Sequence, residues 1–145
     1  MGLKWVSLVA FVVLIAAIAG LLVRHSLLAH SPVLIGVQVL AVSLMLWAQL
    51  TMGWRSLRPT ADTTEGGLVT SGPYRLIRHP IYSAILFFVA ASVSSHLSML
   101  SVSIGVVIAA ATTVRIVAEE YFLSIRYPQY RAYAARTKRI VPFVV

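Results

Sequence analysis

The chain has 145 residues, 59% of them hydrophobic and only 11% charged, with a net charge of +8 and no cysteine. Soluble domains carry about a quarter charged residues, so this composition excludes an ordinary soluble fold and points to a single integral membrane domain, residues 1–145. The missing thiols exclude disulfides, cysteine nucleophiles and thiolate metal sites.

Trp5 to Val23 is an apolar run long enough to cross the roughly 30 Å hydrocarbon core as a helix. Lys4 and Ala17-Ile18-Ala19 also fit a secretory signal with a small-residue cleavage site. The run continues past that cut through Leu21, Leu22 and Val23, which favours a membrane span. Pro32 to Met52 makes a second span, so residues 1–52 hold two amino-terminal spans. Its Gln38 and Gln49 are expected to hydrogen-bond between helices, with a cavity-lining role as the alternative.

Pro59 to Gly72 is rich in Thr, Gly and acid and has no apolar period, so it reads as a loop of the kind that serves as a lid. Ile81 to Ala118 is long enough for two more helices, with the serine-rich stretch around His96 as the turn of a helical hairpin. Its returning arm exceeds the outgoing one. Ser101, Gly105, Ala109 and Thr113 recur every four residues, a small-residue stripe that would let a neighbouring helix approach closely. The tail interleaves Tyr127, Tyr130 and Tyr133 with Arg126, Arg131, Arg136 and Lys138, and Pro128 suits a first helical turn. This pattern predicts a short interfacial helix. The expected fold is therefore an all-α membrane protein with four transmembrane helices, the last two a hairpin, plus a short C-terminal interfacial helix.

Lys4, Arg55, Arg58, Arg75, Arg78, Arg115 and the basic tail fall on one side of such a topology, against Arg24 on the other. The positive-inside rule then makes both termini cytoplasmic. Basic residues that flank apolar helices have anionic lipid headgroups as their nearer partners, so the charge reads as orientation and membrane-lipid contact and not as nucleic-acid binding.

All the acid is Asp62, Glu65, Glu119 and Glu120, and the last two form an adjacent pair at the end of a span. Ionisable groups at such a depth are costly and usually functional. Glu119 has a structural alternative, an ion pair with Arg115 one turn earlier, and Glu120 has one in interfacial water. Adjacent residues point about 100° apart on a helix, so at most one of the two faces a given ligand group. Gly72 to Tyr82 is the other dense polar run. Arg78 and His79 precede Pro80, which fits a first helical turn and disfavours helical geometry at His79. Arg78 offers a planar fork for a carboxylate or phosphate, and the helix start adds free N–H groups. Alone, it reads equally as a snorkelling lipid anchor, His79 as a structural hydrogen-bonding residue and Tyr82 as part of an interfacial belt. His25, His30 and His96 are too scattered for a metal site, and neither a dinucleotide fingerprint nor a P-loop occurs.

Taken together, Arg78-His79-Pro80-x-Tyr82, an apolar hairpin, Glu119-Glu120-x-x-Leu123, Tyr130-x-x-Tyr133 and Arg139-Ile140-Val141-Pro142 resemble the isoprenylcysteine carboxyl methyltransferase and phospholipid methyltransferase superfamily. The resemblance covers residues 68–142, with Ala84 and Pro128 where the family often has glycine. It implies an integral membrane enzyme that moves a methyl group from S-adenosylmethionine to a lipophilic acceptor: an isoprenylcysteine-like carboxylate, a phospholipid amine or a small thiol. By the same resemblance Tyr74, His79, Tyr82, Glu119 and Glu120 hold the cofactor, and Arg78 and Glu120 serve catalysis. A reading from another class is a small four-helix transporter or assembly subunit whose two glutamates bind a cation. A membrane reductase with a nicotinamide cofactor is a third.

Overall fold

The computed structural model describes residues 2–53 and 67–141. Its helices are α1 (Gly2–Val23), α2 (Pro32–Met52), α3 (Pro80–Ser95), α4 (Met99–Arg126) and α5 (Tyr130–Arg136), with a 3-10 turn at Gly72–Arg75. No strand forms among the described residues, so the chain is all-helical as expected. Most of the expected lid, residues 59–66, and Pro142 of the tail motif lie outside the described residues.

Local chemistry sets the helix boundaries. Pro32 and Pro80 open α2 and α3, and His79 sits at φ −124°, ψ 58°, outside the helical region that a following proline disfavours. Ser98 caps α4, its hydroxyl accepting from the Ser101 N–H at 3.1 Å. The serine-rich stretch is thus a helix break at residues 96–98. Three helices, α1, α2 and α4, are long and apolar enough to cross a membrane. The apolar α3 has 16 residues, about 24 Å of helix, against 28 in α4.

α1 packs on α4 and α2 on α3, around a core that includes Leu14, Leu21, Val89 and Ile108. The outward faces keep large apolar side chains such as Leu40 and Leu50 exposed, as lipid permits. The small-residue stripe meets its neighbour over only half its length. Ser101 is buried, and a Cβ on Gly105 would come within 3.1 Å of Val93, but Ala109 and Thr113 face outward. Four residues overshoot one turn by about 40°, so such a stripe precesses off the contact. The buried face instead runs through Ile108, Ala111, Thr112 and Arg115.

Two segments far apart in sequence close the end of the bundle where α3 begins. Gly72, at φ 56°, lets the 3-10 turn lie on α2, since a Cβ there would fall 2.5 Å from Thr51 Oγ1. After α5 the tail runs beside the entrance to α3. Ile77 and Lys138 form a parallel bridge, and the N–H groups of Arg78 and His79 donate to the carbonyls of Lys138 (2.7 Å) and Arg139 (3.1 Å). Ser83 Oγ donates to the Ile140 carbonyl at 2.6 Å, and the Tyr133 hydroxyl to the Tyr74 carbonyl at 2.8 Å.

Candidate active site

The start of α3 and the last turns of α4 bring the two sequence motifs into contact. The His79 ring lies between both carboxylates, with Nε2 3.3 Å from Glu120 Oε1 and Nδ1 3.7 Å from Glu119 Oε2. Tyr82 donates its hydroxyl to Glu119 Oε1, and Arg78 Nε donates to Glu120 Oε1 at 3.0 Å. Adjacent glutamates diverge on a helix, and the divergence is visible here. Glu119 points to Tyr82 and Glu120 to Arg78, while His79 bridges them.

Counting donors separates three arginines. Arg78 commits Nε to Glu120 and both protons of Nη1 to the carbonyls of Ala134 (2.7 Å) and Thr137, which leaves Nη2 without a partner among the described residues. Arg115, weighed from the sequence only as a partner of Glu119, is buried and donates from Nε to the Tyr82 hydroxyl at 2.9 Å. Arg139 reaches Glu120 from the tail, with Nη2 2.9 Å from Oε2 while half its side chain stays exposed. The Tyr130 hydroxyl is buried with no hydrogen bond of ordinary geometry among the described residues.

Burial is the largest single influence on the titrating groups around the helix ends. It lowers the affinity of His79 for a proton, but the contacts and charges of Glu119 and Glu120 outweigh it, so the pKa of His79 is raised. Burial pushes the Tyr133 hydroxyl up to about 12. It raises Tyr130 and Tyr74 as well, with Glu120 adding to the first and Glu119 to the second. All three remain neutral donors at ordinary pH.

Of the residues singled out in the sequence, Arg78, His79, Tyr82, Glu119 and Glu120 form one cluster. Tyr74 lies at its edge. Its hydroxyl faces Met52 Sδ at 3.7 Å, and its carbonyl accepts from Tyr133. Arg115, Tyr130 and Arg139 belong to the cluster without having been assigned a role. The i, i+4 spacing of Arg115 and Glu119 and the tail motif were the available signals. His25 and His96 lie away from it, around the loop between α1 and α2 and the break before α4.

An apolar cavity of about 320 Å³ lies between α2, α3, the 3-10 turn and the tail. Val37, Leu44, Trp47 and Phe87 line it, and Ile77 and Ile140 close it. Those isoleucines adjoin Arg78 and Arg139 in the chain. Leu40 and Trp47 at its α2 edge are 72% and 50% exposed, so the cavity opens on the apolar flank. Its volume falls within the roughly 300–1,000 Å³ of small-molecule sites.

The cobalt-zinc-cadmium resistance protein CzcN of Cupriavidus metallidurans is 32% identical over 118 residues, 77% of this chain and 50% of that relative. The chain therefore spans about half the length of the curated relative it matches. No solved structure matches. The phospholipid methyltransferase family matches residues 26–130, a stretch that holds α2, α3, α4 and both halves of the Arg78–Glu120 cluster. With that match across most of its length and three helices able to span a bilayer, the chain belongs to the phospholipid methyltransferase family.

Proposed function

We propose that this protein transfers a methyl group from S-adenosylmethionine to a lipophilic acceptor, an isoprenylcysteine-like carboxylate, a phospholipid amine or a small thiol, at the cytoplasmic face of the membrane. The observation that carries this reading is a juxtaposition. Ile77 and Ile140, which line an apolar cavity open on its flank, are the chain neighbours of Arg78 and Arg139 in a cluster of two carboxylates, a histidine and surplus arginine donors. In the same reading α3 completes a fourth crossing as one arm of a hairpin, and both termini are cytoplasmic, on the side rich in Lys and Arg. Residues 68–142 form the methyltransferase region.

The donor set fits the cofactor, which carries a sulfonium, an ammonium, a carboxylate and a flat adenine. Glu119 and Glu120 suit its cationic groups, Arg78 Nη2 and Arg139 its carboxylate, and the Tyr130 hydroxyl is one more buried donor. His79 and Tyr82 fix the two carboxylates from the α3 side, with Tyr74 at the edge of the cluster. When bound, the cofactor supplies an electrophilic methyl group, open to in-line displacement by the acceptor.

The chain's own contribution is positioning and exclusion of water. Arg78 ties the tail over the site through the Ala134 and Thr137 carbonyls and holds Glu120 with its remaining inner donor. Orientation of this kind supplies a large share of the rate in a two-reactant transfer. For an acceptor that must lose a proton, Glu119 Oε2 is the least engaged carboxylate oxygen, facing His79 Nδ1 across 3.7 Å. It can hold that proton within reach of the histidine.

The test is direct. Full-length protein in detergent, given isotopically labelled S-adenosylmethionine and a membrane lipid extract, should transfer label into the lipid fraction, and S-adenosylhomocysteine should raise its melting temperature. The absence of both effects at saturating ligand would remove the methyltransferase reading and favour the transporter.

A further inference from the structure

Arg115 is 4% exposed in the middle of three helices, and its contacts exceed what an i, i+4 ion pair requires. Nη2 stands 3.6 Å from Glu119 Oε1 on its own helix. Nε donates to the Tyr82 hydroxyl of α3 at 2.9 Å, and Nη1 donates to the Ser7 carbonyl of α1 at 3.3 Å. The guanidinium also lies over the Phe11 ring of α1, 4.8 Å from its centroid, a cation–π distance.

The direction of these hydrogen bonds has a consequence for the site. An arginine only donates, so the Tyr82 oxygen receives from Arg115, and the tyrosine's single proton is directed to Glu119 Oε1. Arg115 thereby fixes which way the Tyr82 hydroxyl points and where the Glu119 carboxylate rests. Its own position is set by α1, through one main-chain carbonyl and one aromatic ring. α1 precedes the residues matched by the family, 26–130, so the match itself gives this helix no part in the site.

We propose that Arg115 is a positioning residue for the cofactor site: braced by the Ser7 carbonyl and the Phe11 ring, it locks Tyr82 against Glu119 and makes the first membrane span part of that site. The proposal rests on the methyltransferase reading above, since it assigns Glu119 a cofactor to hold. Phe11 acts at two removes, through Arg115 and then through Tyr82 and Glu119.

The experiment is a titration of S-adenosylhomocysteine into the full-length detergent-solubilised protein, well below the melting temperature of each variant. Arg115→Met should weaken binding by about tenfold, and in a Glu119→Gln background the same change should cost little more, because both act through one carboxylate. Arg115→Lys keeps the charge but not the fork, so it should bind no better than Arg115→Met. Phe11→Leu leaves every polar group in place and should give a smaller loss of the same kind. It carries the test if Arg115→Met does not fold. Unchanged affinity in Phe11→Leu and Arg115→Lys beside lowered melting temperatures would overturn the proposal and leave Arg115 a brace of the fold. Losses that multiply in the Arg115→Met, Glu119→Gln double variant would overturn it too. If the unmodified chain binds no S-adenosylhomocysteine, the methyltransferase reading falls and takes this proposal with it.

Discussion

The two ends of α3 carry polar networks of opposite character. At its last turns Gln38 of α2 accepts from the Ala29 N–H at 3.0 Å and donates to the Leu27 carbonyl (2.9 Å) and Ser92 Oγ (3.0 Å), while Ser92 Oγ donates to Leu27 at 2.6 Å. Nearby, the His30 N–H donates to Ser95 Oγ at 2.8 Å. This network is neutral, and its members use one another up. It pins the loop between α1 and α2 to the bundle. At the first turn of α3 three arginines and a histidine surround two carboxylates, yet Arg78 Nη2 has no partner among the described residues and the buried Tyr130 hydroxyl, though close to Glu120, makes no hydrogen bond of ordinary geometry there. Unmet polar groups are expensive beside lipid. A network that closes on itself is explained by the fold it holds, whereas one with donors left over is what the proposed cofactor site requires.

Glu120→Gln is the strongest test of that difference. The amide keeps the shape but removes the charge shared by Arg78, Arg139 and His79, which lie 2.9 to 3.3 Å away. A hydrogen bond to a charged group is worth about 1.5–3 kcal/mol, so S-adenosylhomocysteine affinity should fall about tenfold to a hundredfold. Gln38→Leu should do the converse. It strands the buried Ala29 N–H, and the melting temperature should drop by the equivalent of about 1–3 kcal/mol while cofactor affinity stays at the level of the unmodified chain. Should Gln38→Leu weaken binding as much as Glu120→Gln, the two ends are not separate devices.

The sequence exposes one of these ends far better than the other. Pro80 and the glutamate pair mark the charged end because proline and acid are rare and costly in a span. Gln38 is legible as an interhelical hydrogen-bonder, and it does reach Ser92 of α3, but its other partners are the main-chain groups of Leu27 and Ala29, which leave no trace in residue type. The same blindness hides the use of Arg78. Two of its acceptors are the carbonyls of Ala134 and Thr137, more than fifty residues away. It also hides the Ser7 carbonyl that braces Arg115, and the cavity wall made by Ile77 and Ile140. The four-residue stripe misled in another way, because a spacing that is regular along the chain is not fixed on one helix face. Side-chain chemistry marked the candidate cluster, but main-chain partners assembled it.

Proton linkage offers a smaller effect that separates the same two ends. His79 is the imidazole of the charged end, with an ordinary pKa of about 6.5. It faces Glu119 and Glu120 from α4, with Tyr82 beside it on α3. Burial lowers its pKa, but the two glutamates raise it more, so the folded value lies above the unfolded 6.5. Below the unfolded pKa both states bind the proton and the full stabilisation is present. As pH climbs through the folded pKa, the folded state loses the proton and the stabilisation goes with it. Tyr133, at about 12, and the still higher Tyr74 and Tyr130 do not titrate in that window. The melting temperature should therefore fall as pH rises from about 6 through neutrality, and His79→Gln should flatten that slope while keeping a donor for a carboxylate. Gln38→Leu should lower the curve without changing the part of its slope that His79 sets, because it leaves His79 and its two glutamates untouched. A melting temperature that rises with pH across this range would mean that burial outweighs the glutamates at His79, and the bridge it makes between them would then be that of a neutral ring.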